Sequence, residues 1–165
     1  MDYFIFSIDY LLIFFAKHLG YILLFIFLAL FLKNQRKDFL IVPLVSALVS
    51  RFVFTEIIRF FYFRPRPFVE KAIIPLIEHA PTASFPSGHA AFYFALSFGV
   101  YSFNKKAGLW FFAASAAISL ARVFAGVHYF TDVLGGSVLG ILSYLFVKKI
   151  ITFFKKKQDQ ISVLP

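Results

Sequence analysis

Residues 86–103 read PSGHAAFYFALSFGVYSF, in which Pro86, Ser87, Gly88 and His89 stand directly before an apolar run. Proline and a small polar residue are typical of a helix start, because the first amides of a helix lack partners within it. The run that follows approaches the roughly 20 residues that cross a hydrocarbon core as a helix. The stretch therefore predicts a spanning helix over residues 87–103 whose polar start lies at one membrane face.

Similar apolar runs flank this stretch on both sides. They predict four further spanning helices, over residues 18–32, 39–60, 107–125 and 131–150. We therefore expect an all-α, polytopic membrane helix bundle of about five transmembrane helices, formed as a single domain over residues 1–165.

The two ends of the chain differ from these runs. Residues 3–16 are apolar but are interrupted by Ser7 and Asp9. They predict an N-terminal interfacial helix, with a sixth span as the alternative. Residues 155–165 read as a short, polar and basic tail.

The composition is that of a membrane protein. The 165 residues are 61% hydrophobic and 15% charged and include 26 phenylalanines, more apolar surface than a soluble domain of this length can bury. The absence of cysteine excludes a disulfide framework, a thiolate nucleophile and Cys-ligated zinc. The net charge of +9 would suit nucleic acid, but the lysines and arginines cluster at the ends of apolar runs. We therefore expect membrane lipids, and no nucleic acid, as partners.

The positions of the basic residues also predict the orientation in the membrane. Ten of them fall in three connecting segments, which the positive-inside rule assigns to the cytoplasm: Lys33, Arg36, Lys37, Lys105, Lys106, Lys148, Lys149, Lys155, Lys156 and Lys157. Alternation of the spans then places the loop over residues 61–86 and the turn over residues 126–131 on the extracytoplasmic side.

Three clusters of ionisable and small residues gather at that side, although they lie far apart in the sequence. The first begins at Arg59 and ends, after six further residues, at Arg66 and Pro67. The second is residues 86–89, and the third joins Arg122, His128 and Asp132. An ionisable group near hydrocarbon costs about 2.5 to 3.5 kcal/mol on insertion scales, so these clusters indicate a function.

The residue types in the clusters indicate that the guest is an anion. Arginines keep their charge and present planar forks that suit phosphate oxygens. A helix that starts at Ser87 and Gly88 directs its free amides and the positive end of its dipole toward the same place. His128 and Asp132, four residues apart, would share a helix face, so the carboxylate can hold one ring nitrogen and leave the other free to attack.

The three clusters resemble the type 2 phosphatidic acid phosphatase superfamily, which also includes the vanadium haloperoxidases. The family pattern is a basic residue, six positions and Arg-Pro; then Pro-Ser-Gly-His; then Ser-Arg, five positions, His, three positions and Asp. The resemblance covers residues 59–132 of this chain, the motif core, and every spacing agrees. Three motifs in the right order are far more specific than any one of them alone.

The resemblance implies a phosphatase that uses neither a metal ion nor a cofactor. His128 would attack phosphorus to form a phosphohistidine, with Asp132 as its orienting carboxylate. His89 would protonate the leaving oxygen and then activate water. The phosphate-binding residues would be Arg59, Arg66, Ser87, Gly88 and Arg122.

Two positions depart from the family pattern. Arg59 stands where lysine is usual, which keeps the charge but changes the donor geometry, and Ala121 stands where a serine usually precedes the arginine of the third motif. The missing hydroxyl predicts slower or differently tuned turnover, because neither change removes the nucleophile or the acid.

Other residues near the clusters have simpler interpretations. Glu56, three residues before Arg59, is interpreted as its ion-pair partner along one helix face. Arg64 and Lys71 are left outside the site, either as charges that steer an anionic headgroup or as solvated or lipid-surface charges. His79 is interpreted as an ordinary loop histidine, with substrate contact as the alternative. Gly136 and Gly140 have the spacing of close helix packing, and Arg51 has no partner that the sequence reveals.

The segment over residues 64–89 looks most like bacterial undecaprenyl-diphosphate phosphatases, although Gly88 stands where many of those enzymes carry Asp. This resemblance implies an isoprenoid diphosphate as substrate, cleaved at the extracytoplasmic face of a bacterial inner membrane. Alternatives are another lipid phosphate, such as phosphatidylglycerophosphate, phosphatidate or lipid A, and a protein that binds or moves anionic lipids without hydrolysing them. A haloperoxidase would normally have a soluble fold, which the composition contradicts.

Overall fold

In the computed structural model of the chain, residues 2–162 are described, with side chains from residue 7 to residue 160. Those residues form helices joined by turns and loops. In chain order the α-helices are α1 (Asp2–Ile13), α2 (Leu19–Asn34), α3 (Lys37–Val49), α4 (Thr55–Phe61), α5 (Pro67–Glu70), α6 (Gly88–Phe103), α7 (Lys105–Phe124) and α8 (Phe130–Ser162). Two π-helical turns, Phe14–His18 and Ser50–Phe54, join α1 to α2 and α3 to α4 without a break.

Four helical stretches among residues 7–160 are long and apolar enough to cross a membrane. They are Ser7–Asn34, Lys37–Phe61, Lys105–Phe124 and Phe130–Gln160. The fifth predicted span is α6, whose 16 residues give a helix of about 24 Å at 1.5 Å per residue. The predicted all-α membrane bundle is confirmed.

Helix α6 lies at the centre of the bundle and packs against α3, α7 and α8. Its side chains Ala95, Leu96 and Val100 are fully buried, although the sequence of α6 is apolar on every side. A helix with this pattern is stable only when other helices surround it.

Small residues of α8 allow it to approach α6 closely. A Cβ atom at Gly136 would lie 2.4 Å from the carbonyl oxygen of Ser87, and one at Gly140 would lie 2.4 Å from that of Ala91. Both distances are too short for any side chain, so the predicted role of these glycines in close packing is confirmed.

The helix ends that carry the three motifs meet at one end of the bundle. The amide of Ser87, before α6, donates to the carbonyl of Asp132 in the first turn of α8 at 2.9 Å. The loop between α4 and α6 crosses this end and is fixed by a hydrogen bond from the Leu76 amide to the Ala125 carbonyl, which lies at the end of α7. Residues distant in sequence are thereby brought into one site.

The structure differs from the sequence-based expectation at three places. Residues 3–16 do not form a separate interfacial helix, since α1 continues through the turn Phe14–His18 into α2. The described part of the tail, up to Ser162, is helical and extends α8. The second span contains the π-helical turn Ser50–Phe54, which an apolar run without amphipathic periodicity does not predict.

Candidate active site

Arg66 holds the loop and the turn of the third motif together. The side chain is buried, with 1% exposure, and each of its nitrogens contacts protein atoms. Nε donates to the Thr82 carbonyl at 3.1 Å, Nη2 to the Thr82 hydroxyl at 3.2 Å and to the Ala83 carbonyl at 3.1 Å. Nη1 donates to the Val127 carbonyl at 2.9 Å and lies 3.3 Å from Nε2 of His128. Arg66 therefore fixes the place of the predicted nucleophile.

His128 is buried between Arg66 and Asp132. Its Nδ1 lies 3.5 Å from Oδ2 of Asp132, too far for a good hydrogen bond, and this nitrogen has no other partner. Burial lowers the pKa of His128 to about 4, the Asp132 carboxylate opposes the shift, and the charges of Arg66 and Arg122 add to it. The imidazole is therefore neutral at pH 7, the form in which a ring nitrogen can attack.

Asp132 is fully buried and is held by three groups. Arg64 donates to Oδ1 at 2.9 Å, the Tyr129 amide donates to Oδ2 at 2.8 Å, and the hydroxyl of Ser84 also donates to Oδ2. Every partner comes from the loop or from the turn before α8. The carboxylate is therefore fixed in position beside His128, which suits the orienting role that the sequence predicted for it.

The second motif forms the start of α6. Ser87 is its N-cap and accepts a weak hydrogen bond, at 3.5 Å, from the Ala90 amide. Arg59, at the end of α4, reaches the same place and donates from Nη2 to the Pro86 carbonyl at 3.0 Å. The ring of His89 lies 6.4 Å from that of Tyr93, one turn along the helix, in a tilted arrangement, and the charge of Arg122 acts on it.

Arg122 lies at the end of α7 with 4% exposure. Its Nη1 donates to the Ala16 carbonyl in the π-helical turn Phe14–His18 at 3.2 Å, whereas its Nε is buried without a partner. The Nε of Arg59 is buried without a partner as well. Buried N–H groups almost always have an acceptor, so each of these donors is available to an anion that enters the site.

The electrostatics of the cluster favour an anionic guest. Burial, together with the neighbouring charges of Arg59, Arg122 and Arg51, lowers the pKa of Arg66 to about 10, and the Asp132 carboxylate opposes this shift. Several guanidinium groups are therefore held close enough to repel one another. A phosphate group would relieve that repulsion.

The structure also brings into the site residues that the sequence analysis left out. Arg64 contacts Asp132 and stacks over the Tyr129 ring at 3.9 Å. The ring of His79 lies 6.3 Å from that of His128. Burial lowers the pKa of His79 to about 4, against a hydrogen bond with the Ala80 carbonyl, and the charge of Arg66 contributes to the shift. Both residues lie in the loop before α6, where a sequence carries no periodic signal that relates one position to another.

Glu56 and Arg51 complete the surroundings of Arg59. The predicted pair of Glu56 with Arg59 is confirmed at 3.1 Å, and the same Oε1 atom accepts from Arg51 at 2.6 Å. Arg51, for which the sequence offered no role, therefore lies beside the first motif.

Comparisons with known proteins agree with this site. A family model for the PAP2 superfamily matches residues 39–156. The undecaprenyl-diphosphatase BcrC of Bacillus subtilis (strain 168) is 30% identical over 144 residues, which cover 86% of this chain and 74% of that protein. The bacitracin transport permease protein BcrC of Bacillus licheniformis is 43% identical over 72 residues, 44% of this chain and 36% of that protein. That second match thus spans about a third of the relative's length.

A solved structure has the same architecture. LpxE from Aquifex aeolicus aligns with a TM-score of 0.70 at 28% identity, over 87% of this chain and 86% of that one. Together with the spanning helices, these bacterial relatives support a multi-pass protein of a bacterial membrane. The family model covers most of the chain and includes all three motifs, and the chain therefore belongs to the PAP2 superfamily, as the spacing of those motifs predicted.

Proposed function

We propose that this lipid phosphatase hydrolyses an isoprenoid diphosphate, converting undecaprenyl diphosphate to undecaprenyl phosphate through a phosphohistidine. The observation that carries the proposal is the setting of His128. Its neutral imidazole is buried, with Nδ1 toward Asp132 and Nε2 toward the guanidinium of Arg66. A nucleophile thus lies beside a group that binds phosphate oxygens.

In the first step Nε2 of His128 attacks the terminal phosphorus. The bond from that phosphorus to the bridging oxygen breaks, and the electron pair stays on the bridging oxygen. Attack makes the imidazole cationic, and the Asp132 carboxylate, 3.5 Å from Nδ1, stabilises that charge. Nη1 of Arg66 lies next to Nε2, so it can exchange this contact for a non-bridging phosphoryl oxygen as the substrate approaches.

His89 acts on the leaving group and then on water. It stands at the start of α6 and, once it is protonated with the anionic substrate bound, gives that proton to the bridging oxygen as the prenyl phosphate leaves. The neutral base that results takes a proton from a water molecule, which attacks the phosphohistidine and releases inorganic phosphate. His128 is then neutral again.

The remaining motif residues stabilise charge in the transition state. Arg59 and Arg122 each carry a buried Nε without a partner, and these donors are placed to bind non-bridging oxygens. Ser87 and Gly88 contribute the amides and the dipole at the start of α6. Because arginines and a helix terminus supply this stabilisation, we propose that hydrolysis is independent of metal ions.

The choice of a long isoprenoid tail rests on the surroundings and on a relative. Phe60, Phe61 and Phe63 project from the end of α4 and the following loop with at least two thirds of their surfaces exposed, which suits contact with lipid. The undecaprenyl-diphosphatase BcrC of B. subtilis covers most of this chain. We place the site at the extracytoplasmic face of the membrane, because the basic connecting segments lie at the other ends of the helices.

The proposal is tested by measuring phosphate release from a panel of lipid phosphates by purified protein in detergent, with excess chelator present. We expect release from undecaprenyl diphosphate, inhibition by vanadate, and no release by His128→Ala. Preferred cleavage of phosphatidylglycerophosphate, phosphatidate or lipid A would replace the substrate, and activity that requires added magnesium would contradict the mechanism. Binding of all these lipids without release would show an anionic-lipid binder, a function that the name of the B. licheniformis relative would suit.

A further inference from the structure

Arg51 lies in a π-helical turn that directs it toward the site. The turn Ser50–Phe54 interrupts the helix between α3 and α4, and the Ser50 carbonyl accepts from the backbone N–H of Thr55 and also from its hydroxyl, the latter at 2.8 Å. Single π-helical turns inside α-helices occur frequently at functional sites. A costly interruption that places a charged side chain near hydrocarbon calls for a functional explanation.

The guanidinium of Arg51 lies directly against the start of α6. A Cβ atom at Gly88 would be 2.5 Å from Nε and 2.8 Å from Cζ of Arg51. A larger residue at this position would displace the Arg51 side chain from where it lies. The position of Gly88, assigned above to phosphate binding, thus brings a fourth arginine to the helix end that faces the substrate.

One carboxylate oxygen bridges Arg51 and Arg59. Oε1 of Glu56 accepts from Nη1 of Arg51 at 2.6 Å and from Nη1 of Arg59 at 3.1 Å. The two guanidiniums are thus spaced so that a single anionic oxygen contacts both. Half of the Glu56 side chain is exposed, whereas Arg59 is largely buried, so the carboxylate can move away while the arginines stay in place.

These residues border a cavity of about 550 Å³, which is also lined by Phe63 and Thr82. Thr82 connects the cavity to the nucleophile, because Arg66 contacts both Thr82 and His128. Phe63 is 67% exposed. The cavity therefore lies beside Arg66, which contacts the nucleophile, and has an exposed aromatic side chain in its wall.

We propose that Arg51, together with Arg59, forms a subsite for the inner phosphate of a diphosphate substrate, the phosphate that carries the lipid tail. The inference rests on the proposed function and deepens it. The Glu56 oxygen occupies the position of a phosphate oxygen in the free protein and is displaced by the substrate. Arg51 is then a specificity-determining residue that favours diphosphates over monophosphates.

The chemistry of the reaction favours such a subsite. When the bond between terminal phosphorus and bridging oxygen breaks, negative charge develops on the inner phosphate, which leaves with the lipid. A guanidinium that contacts this phosphate stabilises the leaving group as well as the bound substrate. A lipid monophosphate has no inner phosphate, so its cleavage gains nothing from Arg51.

The test compares Arg51→Ala with the wild type on a prenyl diphosphate and on the monophosphate of the same prenyl chain. We expect kcat/KM for the diphosphate to fall by about 10- to 100-fold, the range for lost hydrogen bonds to charged groups. We expect less than about a threefold change in kcat/KM for the monophosphate. If its basal rate is low, this rate is measured at a high enzyme concentration. Arg51→Lys should lie between, because it keeps the charge and loses the planar fork.

Arg36→Ala is the matched control, since Arg36 lies at the opposite end of the bundle, over the Phe103 ring. Arg36→Ala should leave kcat/KM for both substrates unchanged.

If Arg51→Ala does not fold, as judged by thermal unfolding in detergent, Arg51→Lys and Glu56→Gln decide the question. Glu56→Gln removes the competing charge and should lower the KM for the diphosphate alone. Equal effects on both substrates, or none on either, would overturn the subsite while leaving the proposed hydrolysis intact; a wild type that hydrolyses neither lipid contradicts the proposed function itself.

Discussion

Replacement of Gly136 by alanine is expected to damage the site through the packing of α8 on α6. The new Cβ atom would lie 2.4 Å from the Ser87 carbonyl oxygen and 2.9 Å from Cβ of Ala90. Real Cβ contacts are essentially never shorter than 3.0 Å, so the helices must separate by at least about 0.6 Å at this point. Both contacts involve the backbone or first turn of α6, which cannot turn aside as a flexible side chain would.

The displacement falls where α6 and α8 hold the two motifs together. The Ser87 amide donates to the Asp132 carbonyl at 2.9 Å, and this bond aligns the start of α6 with the pair of His128 and Asp132. A misplacement of about 1 Å can cost about 100-fold in rate, so we expect kcat/KM to fall by about 10- to 100-fold. Overpacking should also lower stability by about 1 to 3 kcal/mol.

Gly140→Ala is the matched control for this prediction. Its Cβ would lie 2.4 Å from the Ala91 carbonyl oxygen, the same overlap one helical turn further from the motifs. Thermal unfolding in detergent and kcat/KM on the preferred lipid phosphate are measured for both variants. We expect similar losses of stability but a loss of kcat/KM at least about fivefold larger for Gly136→Ala, given the steep dependence of rate on alignment. Equal losses of activity, or full activity in Gly136→Ala, would refute the reasoning.

Three further predictions concern the loop, acid stability and orientation. Arg64→Ala removes a partner of the Asp132 carboxylate, so kcat should fall by about 10- to 100-fold, while Lys71→Ala in the same loop keeps wild-type kinetics; unchanged kcat in Arg64→Ala would remove Arg64 from the site. The pKa values of His79 and His128 are lowered to about 4, so between about pH 6.5 and pH 4 the unfolded chain binds protons that the folded chain does not. The melting temperature should therefore fall by about 5 °C or more over this range, and a constant or rising value would contradict the assigned charge states. Single cysteines at Asn34 and Asn104 should react with an impermeant reagent only from the cytoplasm and one at Glu78 only from outside; labelling of Glu78 from the cytoplasm would reverse the orientation.

Much of the site is predictable from the sequence because the motifs lie at helix ends. Apolar length predicts where helices end, and charge predicts which ends share a face. Arg59, Ser87 and Asp132 are accordingly connected through the Pro86 carbonyl and the Ser87 amide. The pairing of Glu56 with Arg59 follows from helical spacing alone.

The features that the sequence does not predict depend on tertiary contacts, which leave no periodic pattern in the sequence. Arg64 and His79 enter the site through the path of the loop, which is set by hydrogen bonds such as that from the Ser84 amide to the Arg64 carbonyl. Arg51 turns inward because of a π-helical turn in an otherwise regular apolar run. The predicted hydrogen bond between His128 and Asp132 is a looser contact of 3.5 Å, because other donors occupy the carboxylate.

The hydrogen bonds that Arg66 makes within the protein are also not predictable from the sequence. Its motif indicates phosphate binding, yet in the structure its nitrogens contact Thr82, Ala83, Val127 and His128. Arginine has five donors, enough to organise a loop and still exchange one contact for a substrate oxygen. Phosphate binding by Arg66 remains a prediction, and its structural role is an addition to it.

The most direct test of the account is to trap the phosphorylated enzyme. Purified protein is mixed with a diphosphate substrate labelled in its terminal phosphate, quenched under conditions that preserve phosphohistidine, and the label on the protein is measured and assigned by peptide mapping. We expect label on His128 in the wild type and more label in His89→Ala supplied with an activated ester that carries the same labelled phosphate, because release is slowed by about 10² to 10⁴-fold without the acid-base residue. We expect none in His128→Ala. Label on His128→Ala protein, or label on His89 in the wild type, would contradict the assignment of His128 as the nucleophile.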